Sequence, residues 1–304
     1  MNELQIAGVH GIRQGASATT ESLSMRWQTT VDAAVAGSRH AAAAGPVRLT
    51  VPSYQGVYPQ TATRYFRLGP HEADGASVPS VDEEEEGFIL DALAAYSPAA
   101  VAAEDDAPTA GHALGESRFT PRIRRRAHAV DRVTGKGVTD RLLWLVREAH
   151  GYLRQEETAT ALRSGIRDAL TATGARMVIA HSLGSVILYD MLSRGEVPLA
   201  DDGGTGVTTV VTCGSPLSWL CVRKGVHRPG APLSVPAGVE WTNLHSPNDV
   251  VNKGAGLSHL AVGVTDVVAH NGGVARAHDV HRYLDKEAVV ACAARARNPS
   301  RRQP

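Results

Sequence analysis

A serine stands where a short apolar run gives way to a helical pattern of apolar residues. The run covers residues 177–180, and the pattern starts at Leu183, so Ser182 lies at the expected join of a buried strand and a buried helix. A serine hydroxyl is a useful nucleophile only if a base removes its proton and donors stabilise the developing oxyanion. The free N–H groups of a helix N-terminus favour such a charge. Ser182 is therefore a candidate nucleophile, and the alternative is a serine that caps a buried helix.

An acid and a base follow later in the chain. Asp249 comes after a strand-like segment, 239–244, where an acid can orient a histidine and stabilise its imidazolium. His278 stands where a glycine-containing loop joins the C-terminal helical pattern. The alternatives remain open: Asp266 is the competing acid, His281 is the rival base, and the turn around Asp249 can equally be purely structural.

Other nucleophiles and metal ligands fit less well. Cys213 and Ser215 follow another strand-like run, but neither stands at a strand-to-helix turn, so we expect them to line a pocket wall. The histidines at 270, 278 and 281 lack a carboxylate or cysteine partner at a known ligand spacing. We therefore expect no metal ion and no organic cofactor.

The segment 180–184, Ala-His-Ser-Leu-Gly, resembles the G-x-S-x-G nucleophile elbow of the α/β-hydrolase superfamily. Ala180 replaces the first glycine, and it is still small enough for a strand and a helix to pass closely. The order Ser182, Asp249, His278 is also the order of nucleophile, acid and histidine in that superfamily. On these residues the chain resembles a lipase-like or serine-esterase-like member.

Two further segments carry the same resemblance. Residues 9–12, Val-His-Gly-Ile, resemble the H-G-x loop of lipases and esterases, which supplies one donor of the oxyanion hole. The resemblance implies that the backbone N–H groups of Ile12 and Leu183 are the two donors, although 9–12 can also be an ordinary glycine turn. Residues 241–251 resemble the W-x-N and D-x-V segment of some members. The resemblance covers roughly 1–55 and 140–285 and says nothing about the segment between.

The order of elements predicts an α/β fold. The chain begins with a strand at 4–9, a helix within 20–43 and a strand at 47–51, which is the unit of a parallel sheet. Later runs predict three strands and three helices: 176–180, 207–213 and 239–244 for strands, and 139–153, 158–172 and 183–194 for helices. We expect a mostly parallel central sheet with helices on both faces, and the resemblance implies the α/β-hydrolase fold.

The domain organisation is predicted to be simple. Residues 1–290 form one domain, and 55–137 form an insertion that is partly helical. Its acidic run, 82–86, and its basic cluster, 122–126, are expected to face solvent, and the functional alternative is a lid or cap over a site. Residues 291–304 are expected to be a disordered basic tail.

Composition excludes some classes of protein. Lys plus Arg equals Asp plus Glu, 31 each, so a basic nucleic-acid reader is disfavoured. The 3 cysteines lack a CxxC pair, which is typical of a reducing compartment. The N-terminus does not resemble a signal peptide, and no apolar run has the roughly 18 residues of a membrane span. We expect a cytoplasmic protein that has no membrane span and does not bind nucleic acid.

These residues together predict a serine hydrolase that cleaves a carboxylic ester or thioester through an acyl-enzyme. His278 would be the base, and Asp249 would hold its tautomer. The expected substrate is a small-molecule acyl ester whose acyl chain and head group are not predicted. The alternatives are a non-catalytic ligand-binding protein and an acyltransferase with the same fold. Oligomeric state is not predicted.

Overall fold

The computed structural model describes residues 3–11, 18–54, 81–97, 119–134, 138–200, 204–226, 231–252, 254–274 and 276–298, without the side chains of 140, 141 and 144. Within these ranges one six-stranded sheet forms, all of its strands are parallel, and their order is β2-β1-β3-β4-β5-β6. The strands are β1 (Leu4–Val9), β2 (Val47–Thr50), β3 (Met177–His181), β4 (Thr209–Cys213), β5 (Glu240–His245) and β6 (Val264–Val268).

Helices cover both faces of the sheet, as the sequence predicts. They are α1 (Thr20–Gly37), α2 (Ala41–Ala44), α3 (Glu83–Tyr96), α4 (Pro121–Thr134), α5 (Val138–Arg154), α6 (Glu156–Thr173), α7 (Leu183–Ser193), α8 (Leu220–Val226), α9 (His281–Leu284) and α10 (Glu287–Arg297). A 3-10 turn covers Pro216–Ser218. In β3, Val178 and Ala180 enter one core and Met177 and Ile179 enter the other, because successive strand residues point to opposite faces. The predicted α/β class and parallel sheet are confirmed.

The chain reverses its direction of winding between β1 and β3. It passes from β1 outward to β2 and then returns to place β3 on the other side of β1. In an open parallel sheet, the crevice outside the carboxyl ends of two such strands is where ligands bind. Gly11 follows β1 and Ser182 follows β3, so both residues lie at this crevice.

One strand differs from the sequence prediction. The inner strands β3 and β4 are buried at every position and read as continuous apolar runs, which is typical of a parallel sheet covered on both faces. The edge strand β6 is partly exposed and carries a polar Thr-Asp pair, Thr265 and Asp266. Its short, mixed pattern does not separate it from a loop, so the sequence did not predict it.

The prediction of a disordered tail at 291–304 is wrong for its described part. Residues 291–297 belong to α10, and three of its own residues are buried: Cys292, Ala293 and Ala296. Apolar residues at helical spacing dock α10 on the sheet. Arg295 forms an ion pair with Glu240 instead of remaining in solvent.

The insertion at 55–137 contributes two described helices, α3 and α4, to the main core. Ile89 of α3 and Ile123 of α4 are fully buried in the cluster that also contains the sheet residue Val178. The expectation that the acidic run faces solvent is wrong for Glu85, which is buried and accepts a hydrogen bond from Arg147 of α5 at 2.6 Å. A buried ion pair and shared apolar contacts therefore join the insertion to the sheet domain.

The outer edge of β2 is occupied by one side chain. Gln28 of α1 accepts the Leu49 N–H at 2.6 Å and donates to the Val47 carbonyl oxygen at 3.1 Å. These are the two bonds that a neighbouring strand would make to the same edge.

Among the helices of the described ranges, none is both long enough and apolar enough to cross a membrane.

Candidate active site

Ser182 forms the whole turn between a strand and a helix. β3 ends at His181 and α7 begins at Leu183. Ser182 has φ 55 and ψ −131, and it is the one non-glycine residue with a positive φ among the described residues. Such a conformation costs a side-chain-bearing residue free energy and persists only where its surroundings enforce it. Here the Ser182 N–H is held by the Cys213 carbonyl oxygen of β4 at 3.0 Å.

The loop after β1 passes directly beside the serine. A Cβ added to Gly11 would lie 3.2 Å from the Ser182 Cβ, and one added to Gly184 would lie 2.8 Å from the His10 carbonyl oxygen. The two glycines are therefore needed for this close approach. Leu183 is the first residue of α7, whose leading N–H groups have no partner within the helix. Ile12, the other expected donor, lies outside the described residues.

His278 bridges the serine and an aspartate. Its Nε2 lies 2.9 Å from the Ser182 Oγ. Its Nδ1 lies 3.0 Å from Asp249 Oδ1 and 2.9 Å from Asp249 Oδ2. A proton on Nδ1 satisfies the carboxylate and leaves the Nε2 lone pair facing the serine hydroxyl, which is the arrangement of a general base.

The three groups differ in their access to solvent. Asp249 is fully buried, Ser182 is 6% exposed, and the His278 side chain is 29% exposed. Burial alone would raise the pKa of Asp249, but the charge of His278 and hydrogen bonds from His278, Tyr283 and Val251 outweigh it and hold that pKa below its usual value. Asp249 is therefore an ionised carboxylate at neutral pH.

The two rival residues are engaged elsewhere. His281 Nδ1 forms a 2.7 Å hydrogen bond with the Thr30 Oγ1 of α1. Asp266 accepts hydrogen bonds from the Asn243 side chain at 2.8 Å and from the Leu257 N–H at 2.9 Å. These contacts stabilise a helix interface and a loop, and neither residue is bonded to Ser182 in the described part of the chain.

Two buried histidines, His181 and His10, lie near the site and remain neutral. The ring of His181 lies 4.7 Å from that of His278, and its Nε2 is 2.9 Å from the His278 carbonyl oxygen. Burial and then the charge of His278 lower the pKa of His181 to about 3. His10 stacks on Tyr54 with ring centroids 4.0 Å apart, and burial lowers its pKa to about 4. Both imidazoles are neutral at physiological pH.

The other candidate nucleophiles are buried and inert. Burial raises the pKa of the Cys213 thiol, so it remains protonated. The Ser215 Oγ accepts a hydrogen bond from the Ser185 Oγ at 2.7 Å and donates none to a histidine among the described contacts. Cys213 and Ser215 line the β4 side of the serine turn.

Within the described ranges, no three histidine, cysteine or acidic residues cluster as metal ligands.

Sequence reasoning missed two residues at this site. Gly214 has φ +56, and a Cβ there would lie 2.9 Å from Asp249 Oδ2 and 3.0 Å from His278 Nδ1. Tyr283 donates a hydrogen bond to Asp249. The glycine between Cys213 and Ser215 was visible as a turn, but sequence spacing gives no signal that Tyr283 faces the acid.

A cavity of about 270 Å³ opens against the loop of the acid. Asp249, its neighbours 247–250 and Val274 line it. The other lining residues are Tyr96 at the end of α3, Thr134 at the end of α4 and Val138 at the start of α5. The insertion therefore borders the same region of the molecule as the carboxylate.

Comparison with protein-family models, with curated proteins and with solved structures finds no match to this chain. The fold is that of an α/β protein with one parallel sheet. Any assignment of activity therefore depends on the geometry of Ser182, His278 and Asp249 themselves.

Proposed function

We propose that this chain is a serine hydrolase of the α/β-hydrolase type, acting on a carboxylic ester or thioester. The observation that carries the proposal is the continuous contact from Ser182 Oγ through the His278 imidazole to the buried Asp249 carboxylate. The strained turn that places Ser182 between β3 and α7 supports it, because a plain helix cap does not require a positive φ.

The proposed reaction begins with a proton transfer. His278 Nε2 accepts the hydroxyl proton as Ser182 Oγ attacks the acyl carbonyl carbon, and the carbonyl oxygen becomes an oxyanion. Asp249 stabilises the imidazolium that forms and is not itself protonated. The Leu183 N–H, and in the expected role the Ile12 N–H, donate to the oxyanion. A donor of this kind typically contributes about 3 kcal/mol in the transition state.

Two further steps complete the cycle. The tetrahedral intermediate collapses, the bond to the leaving alcohol or thiol breaks, and His278 gives its proton to that leaving group. His278 then takes a proton from water as the water oxygen attacks the acyl carbon. The second tetrahedral intermediate collapses, the bond from the acyl carbon to Ser182 Oγ breaks, and His278 returns its proton to Ser182, which releases the carboxylic acid. Every role is filled by a residue of the chain, so the mechanism requires no cofactor.

The insertion fits the role of a cap. Its helices α3 and α4 share the core of the sheet and reach the cavity beside Asp249 through Tyr96 and Thr134. This contact with the loop of the acid is what supports a cap role for the insertion. Cys213, Cys221 and Cys292 are all unpaired, which supports a reducing, cytoplasmic location.

A fluorophosphonate probe tests the nucleophile. Wild-type protein should be labelled on Ser182, and Ser182→Ala should lose labelling and ester hydrolysis. Ser193→Ala is the matched control, because Ser193 ends the same helix and its hydroxyl donates to the Tyr189 carbonyl oxygen. Equal labelling of wild type and Ser182→Ala would refute the assignment.

Turnover assays separate the alternatives. A series of p-nitrophenyl esters should release p-nitrophenol with the wild type. Product formation only after an alcohol or amine acceptor is added would indicate an acyltransferase. No turnover, together with a ligand that raises the Tm, would indicate a binding protein.

A further inference from the structure

The candidate acid has a buried neighbour that the mechanism above does not use. The Tyr283 hydroxyl of α9 donates to Asp249 Oδ2 at 2.6 Å, and Tyr283 is fully buried. The other oxygen, Oδ1, accepts the Val251 N–H at 2.8 Å. Two fixed donors therefore hold the two oxygens and prevent the carboxylate from rotating, while His278 Nδ1 lies within 3.0 Å of both.

The direction of the Tyr283 hydrogen bond is fixed by a third residue. Asn252 is buried, its Oδ1 accepts the Gly254 N–H at 2.9 Å, and its Nδ2 donates to the Tyr283 hydroxyl at 3.2 Å. Because the phenol oxygen accepts from Asn252, its own hydrogen is left for Asp249. Donors are thus aligned in one direction from Gly254 to the carboxylate.

The electrostatics agree with this arrangement. Burial, together with the charge of Asp249, raises the pKa of Tyr283 well above its ordinary value, so the phenol remains a protonated donor. The hydrogen bond from Tyr283 is one of the contacts that hold the pKa of Asp249 low despite burial. A neutral donor of this kind stabilises the carboxylate without adding a second charge to the site.

We propose that Tyr283 is a positioning residue that controls the basicity of His278 through Asp249. This inference rests on the proposed function. The phenol fixes the orientation of the carboxylate and draws part of its negative charge away from the imidazole. The carboxylate then stabilises the imidazolium form of His278 less strongly than it would without the phenol.

The variant Tyr283→Phe removes the hydroxyl and keeps the core volume. Its kcat should fall about tenfold with KM little changed, as is usual when a hydrogen-bond partner that orients a functional group is lost. The acidic limb of the pH profile of kcat/KM should move upward by about half a pH unit to one unit, because the carboxylate then stabilises the imidazolium more strongly. Asn252→Leu, which frees the hydroxyl to rotate, should shift the limb in the same direction by less, and it replaces the first variant if Tyr283→Phe does not fold.

Tyr152→Phe is the matched control. Tyr152 is also buried and donates to a buried aspartate, Asp190, at 2.7 Å. Tyr152→Phe should lose about as much stability as Tyr283→Phe, and its kcat and pH profile should equal those of the wild type. A Tyr283→Phe variant that loses stability like Tyr152→Phe, with the same kcat and pH limb as wild type, would reduce Tyr283 to a core residue and overturn the proposal.

An NMR titration of the His278 ring makes this test independent of turnover. Without substrate, the ring in Tyr283→Phe should titrate at a higher pH than in wild type, and an unchanged titration would overturn the positioning role. A wild-type chain that hydrolyses no ester and resists the fluorophosphonate probe would overturn the proposed function, while the titration would still decide what Tyr283 does to Asp249 and His278.

Discussion

Asp249 and Asp190 are two buried aspartates that share one kind of contact. Each accepts a hydrogen bond from a buried tyrosine, Tyr283 at 2.6 Å and Tyr152 at 2.7 Å. Asp249 lies beyond the carboxyl end of β5, and Asp190 lies within α7. The tyrosine alone therefore does not distinguish a functional carboxylate from a structural one.

The remaining partners separate the two sites. Asp249 faces His278, whose imidazole can both accept and release a proton. Asp190 faces Arg163 at 3.3 Å and Arg194 at 2.8 Å, and guanidinium groups stay charged at all ordinary pH values. The first carboxylate can support a proton transfer, whereas the second one neutralises fixed charge and ties α6 to α7.

The largest expected difference comes from replacing each carboxylate by its amide. Asp249→Asn should reduce kcat by about 10³ to 10⁴-fold, since an amide in place of the carboxylate favours the wrong tautomer of His278. The fold should persist because the shape of the side chain is kept. Steady-state kinetics and denaturant unfolding measure the two effects, and a variant with more than a tenth of wild-type kcat would contradict the role of Asp249.

Asp190→Asn, the counterpart, should leave kcat per folded molecule unchanged and reduce stability. Orphaning a buried charge costs roughly 3–5 kcal/mol. Arg163 keeps Glu156 at 2.7 Å and Glu196 at 3.2 Å, so we expect a smaller loss of about 2–3 kcal/mol. The comparison fails if Asp190→Asn lowers kcat as far as Asp249→Asn.

A smaller loss of activity is expected from a substitution that crowds Asp249 and His278 without replacing either residue. In Gly214→Ala the new Cβ would meet Asp249 Oδ2 and His278 Nδ1, and a misplacement of about 1 Å can cost 100-fold in rate. Gly174→Ala is the control, because Gly174 has φ +58, close to the +56 of Gly214, and no atom lies within 4 Å of its added Cβ. Both variants should lose about 1–2 kcal/mol of stability through backbone strain, and only the first should lose activity. Equal kcat values for the two variants would argue against the crowded geometry.

The last expected effect concerns pH and falls on stability alone. His10 and His181 stay neutral when folded, with pKa values lowered to about 4 and about 3, whereas an unfolded histidine titrates near 6.5. Below pH 6.5 the unfolded state therefore binds more protons, and stability falls as pH decreases toward the folded values. Each histidine should contribute a loss of roughly 2 kcal/mol between pH 6.5 and pH 5.

Denaturant unfolding at these two pH values measures this loss. Asp249, whose pKa is lowered, adds its own loss only below its usual range near 4, so it does not overlap this window. His181→Asn should remove the part of the pH dependence that His181 contributes, while His10 and His150, whose pKa is also lowered by burial, keep theirs. An equally steep dependence in that variant would show that other groups cause it.

Much of the sheet could be predicted because its strands are strongly apolar. β3 and β4 are buried at every residue, and their runs are visible in the chain. The edge strand β6 carries exposed positions, and its pattern resembles a loop. Helix α10 was not predicted because the charges of Arg295 and Arg297 masked the buried residues Cys292, Ala293 and Ala296 of the same helix.

The candidate site could be predicted in part for a similar reason. Ser182 and Asp249 follow strands of one parallel sheet, and the carboxyl ends of such strands meet at one edge. The choice of His278 over His281 depended on the loop-to-helix junction, and the structure brings only the former to the serine. Tyr283 could not be found, because helix α9 is one turn long and its direction depends on how it packs against the sheet.

The side chain of Gln28 has a consequence for how copies of this protein meet. An open sheet edge is a template on which a strand from another molecule can add, and that addition leads to aggregation. Gln28 already satisfies the Leu49 N–H and the Val47 carbonyl oxygen, the groups that an incoming strand would need. The protein thereby protects part of this border of its sheet against intermolecular pairing with a single amide, and among the described residues no further strand pairs with β2.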